Sequence, residues 1–67
     1  MIRHPLAAAK ELRQLRESYG LRVADVLPFM RCSCTTWYGY ERHLPHHKQN
    51  ACRAAVMAAV RRRAKSA

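Results

Sequence analysis

An all-α fold, a compact bundle of four or five short helices containing a helix-turn-helix, is what this sequence predicts, and three observations predict it. Between Gly20 and His43, the residues Val23, Val26, Leu27 and Met30 recur at three- and four-residue spacing, the period of one amphipathic helix face. Proline and glycine stand where helices start and stop, at Pro5, Gly20 and Pro45. The two outer segments are rich in alanine, the best helix former.

Helix 1 is expected from Pro5 to Tyr19. Proline's fixed φ suits a first turn, Ala7-Ala8-Ala9 follows, and Gly20 can take the left-handed conformation that ends a helix. Leu6, Ala8, Leu12, Leu15 and Tyr19 should form its buried face, with Lys10, Arg13, Gln14 and Glu17 outward. Helix 2 should run from about Arg22 to Met30, with Asp25 in its first turn facing the positive end of the helix dipole. Pro28 comes too late for a first-turn proline, so it should remove one hydrogen bond and bend or shorten the helix.

Arg31-Cys32-Ser33 is then a short turn, after which Ser33 or Thr35 can cap helix 3, expected from about Cys34 to Arg42. Trp37 and Tyr40, three apart, form its apolar side. Gly39 costs roughly 1 kcal/mol against alanine inside a helix. Two accounts offset that cost: close approach of another helix or a partner subunit, or close approach of DNA. Leu44-Pro45 ends helix 3, and Pro45 starts helix 4, which continues to about Ala64. Cys52, Ala55, Val56, Ala59 and Val60 give it a narrow face of mostly small residues. Residues 61–67 read as a basic, frayed tail. No repeat or linker divides the chain, so residues 1–67 are read as one domain.

Sixty-seven residues bury only about 60% of the surface of the unfolded chain, so stability is expected to be marginal without a partner subunit. Thirteen Lys and Arg against four Asp and Glu give a formal charge of +9. Such a chain should seek a polyanion, unless the charge serves only as a solvated surface. A membrane surface is the lesser option. No apolar run approaches the roughly 18 residues of a spanning helix, and Arg3, His4 and Pro5 interrupt any signal-peptide stretch, so the cytoplasm is the expected location. Helix, short turn, helix is a shape that fits the DNA major groove, which makes double-stranded DNA the expected partner.

Read as G-L-x-x-x-x-V-x-x-x-M-x-C-S-x-x-T-W-x-x-Y-E-x-H, the segment from Gly20 to His43 resembles the helix-turn-helix of the Cro and phage-repressor (XRE-like) family of DNA-binding regulators. Leu21, Val26, Met30, Cys32, Trp37 and Tyr40 fall where that family keeps its packing residues, with Ser33, Thr36 and Glu41 in register. Val23 replaces the usual phosphate-contacting glutamine, Leu27 a small alanine, and Arg31 the turn glycine. The resemblance implies a transcriptional regulator, a repressor of phage or mobile-element type, acting as a homodimer on a short palindromic operator. It also implies that Ser33, Cys34, Thr35, Tyr38 and Gly39 face the bases, and that Glu41 forms a partly buried, bidentate ion pair with Arg16. Arg31, Arg42, His43 and Lys48 lie along the edges of the motif, where they would meet phosphates. None of the base-facing residues is Arg, Lys, Asn or Gln, the side chains that make bidentate base contacts, so direct readout should be poor. Tyr38 has a second account, as an aromatic partly packed beside Trp37. The competing function is a small phage or plasmid protein that keeps the fold but binds and inhibits a host or competitor protein.

Cys32, Cys34 and Cys52 with His43, His46 and His47 supply zinc-type ligands, but the spacing is nonstandard and the three cysteines are expected to diverge. Cysteine as a small hydrophobe is the default reading. The histidines, His4 included, are read as surface residues near phosphate. Neither a cofactor nor a small-molecule ligand is expected, and with one aspartate, three glutamates and no cleft to tune a nucleophile, neither is catalysis.

Overall fold

The computed structural model describes residues 4–66. Four α-helices follow one another: α1 (Pro5–Ser18), α2 (Val23–Val26), α3 (Cys34–Tyr40) and α4 (His46–Ser66), with a 3-10 turn at Leu27–Phe29 between α2 and α3. No strand occurs among the described residues, so the fold is an all-α bundle.

Helix α1 starts as its proline requires, with His4 as N-cap: its Nδ1 accepts the Leu6 N–H at 3.2 Å. At the other end Gly20 adopts φ 67°. There its N–H donates to the Glu17 carbonyl at 2.9 Å and Leu21 N–H to the Arg16 carbonyl at 3.2 Å, the paired bonds of a Schellman cap. Ala8, Ala9, Leu12 and Arg16 form the buried face, with Leu15 beside it. Two expected core residues lie outside: Leu6 is 59% exposed and Tyr19 46%. Burial of Arg16 rotates the inner face toward positions 9, 12 and 16, and the helix ends before Tyr19 can turn inward.

Pro28 does shorten helix 2, which is α-helical only to Val26 and continues as the 3-10 turn rather than as an α-helix to Met30. Asp25 closes its start by accepting the Arg22 N–H at 2.8 Å. Val23 and Val26 are buried, while Leu27 and Met30 pack partly against the core. Helix α3 ends at Tyr40 instead of Arg42, because the Arg42 and His43 N–H groups both turn back onto the Gly39 carbonyl. Leu44 then donates to the Pro5 carbonyl at 3.1 Å, tying this loop to the start of α1.

Helix α4 begins one residue after Pro45 and buries Cys52, Ala55, Val56 and Ala59, with Val60 partly covered, as its small-residue face predicts. Small side chains let it lie against both α1 and α2. Gln49, which the sequence reading left out, is buried too and donates to the Leu44 carbonyl at 3.4 Å. The basic segment does not fray at Ala64: the helix continues to Ser66, and Arg63 donates to the Gly20 carbonyl at 2.8 Å. No described helix is long and apolar enough to cross a membrane.

Arg31 sits in the turn before α3 with φ 52°, a left-handed conformation that glycine adopts without strain. Arg31→Gly should therefore raise stability by about 1 kcal/mol, the strain relieved slightly exceeding the added chain entropy. Thermal melting checks this: an unchanged or lower midpoint means that the Arg31 side chain stabilises the turn by some other contact.

Candidate nucleic-acid interface

Ser33 opens α3 by accepting the Thr36 N–H on its hydroxyl at 3.2 Å, and its Oγ lies 3.0 Å from the Thr36 hydroxyl. Of the two candidate caps, Ser33 is the one used, so this residue positions the helix before it can touch anything outside. Trp37 is the inward anchor of α3, fully buried, with its ring edge-on to Tyr40 at a centroid distance of 6.5 Å. With Trp37 inward, the 100° step of the helix leaves Cys34, Thr35, Thr36, Tyr38 and Gly39 on the exposed side.

A charged network fixes the far end of α3. Arg16 donates through Nε to Glu41 Oε2 at 2.7 Å and through Nη2 to Oε1 at 3.1 Å. Trp37 Nε1 donates to the same Oε2 at 2.6 Å, and Arg16 Nη1 to the Leu21 carbonyl at 2.8 Å. Both charged side chains are nearly shielded from water, at 11% and 5% exposure. The Glu41 hydrogen bond, against the opposing effect of burial, holds the Arg16 guanidinium above its ordinary pKa. Glu41 thus joins α3 to α1 and to the turn after α1. The Trp37 bond was missed from sequence, although an indole donor four residues before a carboxylate on one helix is a readable signal.

This docking decides which surface residues become neighbours. Thr35, Tyr38, Gly39 and Arg42 line one open groove over the ion pair, and Arg13 of α1 joins them there. Arg13 had been read only as an outward charge, but it precedes Arg16 by one helical turn, so anchoring Arg16 at Glu41 brings it to the groove that Arg42 also lines. Its Nε pairs with exposed Glu17 at 3.3 Å. Tyr38 is 53% exposed, and the ring set edge-on to Trp37 is that of Tyr40. A Cβ added at Gly39 would meet no atom within 4 Å, so no helix of this chain requires the glycine. Arg31 and His43 are exposed and Lys48 half-buried in the first turn of α4, outside this groove.

The cysteines divide as expected, with Cys52 buried on α4 and Cys34 exposed at the start of α3. Cys32 packs partly against the core that contains Cys52. Burial, with a smaller contribution from Cys32, pushes the Cys52 thiol up to about 11. Among the described residues no three His, Cys, Asp or Glu side chains are grouped to hold a metal ion.

Comparison with known proteins finds no matching family model, no matching curated protein and no matching solved structure.

Removing Glu41 would leave the Arg16 guanidinium buried without a counter-charge, a change that costs about 3 to 5 kcal/mol. A domain of this size has about that much stability in total, so Glu41→Ala should be largely unfolded at 25 °C, as read by urea titration followed through Trp37 fluorescence. A wild-type urea midpoint would show that the pair contributes nothing. The raised Cys52 thiol adds a pH dependence. Below about pH 9 folded and unfolded chains both keep this proton; between about 9 and 11 the unfolded chain releases it first, so stability falls with rising pH. Cys52→Ala should lose stability less steeply over that range than wild type when the two titrations are compared.

Proposed function

We propose that this protein is a DNA-binding transcriptional regulator, a repressor of phage or mobile-element type, that places α3 in the major groove of a short operator and acts in the cytoplasm as a homodimer. The observation that carries this reading is the exposed face of α3, where Thr35, Tyr38, Gly39 and Arg42 gather with Arg13 on a chain of net charge +9. A short helix that turns Trp37 and Tyr40 inward and leaves Cys34, Thr35, Thr36, Tyr38 and Gly39 exposed suits insertion into a groove about 12 Å wide. The resemblance to Cro and phage repressors supplies the regulatory role. It gains support from the turn, where Arg31 takes the left-handed conformation at the position of the family's glycine.

Within this reading Ser33, Cys34, Thr35, Tyr38 and Gly39 face the duplex, while Arg31, Arg42, His43 and Lys48 flank it. Single hydroxyl contacts, a thymine methyl against Thr35 or Tyr38, and DNA shape sensed through phosphates are then the sources of specificity, which should be modest.

If a dimer neutralises about 6 to 10 phosphates, affinity for duplex should fall by roughly a thousandfold or more between about 50 and 200 mM salt. Fluorescence anisotropy on a labelled random duplex measures this directly. Affinity that does not change with salt would defeat the reading in favour of a protein-binding role.

A further inference from the structure

Gly39 weakens α3 without any return inside the chain. Glycine costs about 1 kcal/mol relative to alanine in a helix interior and less at Gly39, one residue before the end of α3, where there is open space that a methyl group would fit. The groups beside it share one chemistry. Arg13 and Arg42 bring guanidinium groups to the groove, and Thr35 and Tyr38 bring hydroxyls. The Glu41 carboxylate beneath is already occupied, since Oε2 accepts from Arg16 and Trp37 and Oε1 from Arg16. Arg13 engages Glu17 through Nε, which leaves the Nη edge of its guanidinium for a second anion.

A bare Cα in a groove that two arginines also line is suited to an anion that must come close to the helix backbone. A base edge is the competing occupant, since arginine also pairs with guanine O6 and N7, but the groove lies at the rear of α3, with Arg42 beyond the last helical residue at the edge of the motif, where basic side chains meet phosphates. Side-chain length supports the same choice: glycine is the residue that lets a backbone or ligand approach most closely.

Resting on the DNA-binding reading above, we propose that this groove seats one backbone phosphate of the duplex against Gly39, held between Arg13 and Arg42, so that the rear of α3 sets the docking register and does not read bases. Arg13, on α1, thereby becomes part of the interface, and Gly39 moves from the base-facing set to the phosphate set.

Wild type, Gly39→Ala, Gly39→Leu and Arg13→Gln, each melted and each titrated on a random duplex and on a selected operator duplex across a salt series, test the seat. Both Gly39 variants should melt above wild type, since the site is open and the new residues favour helix, yet bind both duplexes more weakly, Gly39→Leu losing most. Arg13→Gln should leave the ratio of the two affinities unchanged and reduce the slope of log affinity against log salt by about one. Wild-type affinity and slope in Gly39→Leu and Arg13→Gln would overturn the seat while leaving DNA binding intact. A change in the operator-to-random ratio for Arg13→Gln would overturn it in favour of base reading. Failure of the wild type itself to bind any duplex at low salt would overturn the reading beneath, and the seat with it.

Discussion

The Glu41 carboxylate holds this small fold in register. It accepts two bonds from Arg16 and one from Trp37, and Arg16 in turn reaches the Leu21 carbonyl, so α1, the turn after it and α3 meet at one charged point. Hydrophobic burial alone would specify this arrangement weakly, because most of the core is alanine, valine and cysteine around one tryptophan. Small side chains pack closely but interdigitate little, and several sliding arrangements would bury similar areas. A guanidinium and a carboxylate taken out of water tolerate few of them, because each misaligned arrangement leaves a buried charge with unsatisfied partners.

What could be read in the sequence was mostly what backbone chemistry dictates. Pro5, Gly20, Pro28 and the small-residue face of α4 each act within a turn or two of the chain, and each does locally what its type requires. The expectations that failed depended on where the helices are rotated. Leu6 and Tyr19 belong to the apolar stripe of α1 by spacing, but the stripe was centred without knowing that a charged residue, Arg16, occupies its buried end. The Arg16–Glu41 pair itself, twenty-five residues apart, was legible only through the resemblance, since no local pattern links those positions. Arg13 was illegible for the same reason: its neighbours in the groove are set by that pair. Helix α3 was drawn two residues too long because the competition between continuing the helix and folding back on the Gly39 carbonyl is not visible in residue type.

For the candidate interface, charge and shape make different contributions. Net positive charge draws the protein to any polyanion at long range and does not choose an orientation. Orientation would come from the exposed face of α3, which has an angular position set by burial of Trp37 and a depth set by Glu41. The part of the molecule that would face DNA is therefore built by residues that would never touch it.

Arg63 has a bearing on how the chain comes to be folded. Its guanidinium lies on the carbonyl of Gly20, forty-three residues earlier, and so bridges the final turns of α4 to the turn that ends α1. During synthesis α1 emerges before α4, with its cap formed from its own residues, and the helix that covers it and the side chain that fastens its end follow only after the intervening helices. The early helices must wait, partly uncovered, through the making of most of the chain, and an alanine-rich surface is a comparatively safe one to expose in that interval because it offers little apolar area to a wrong partner.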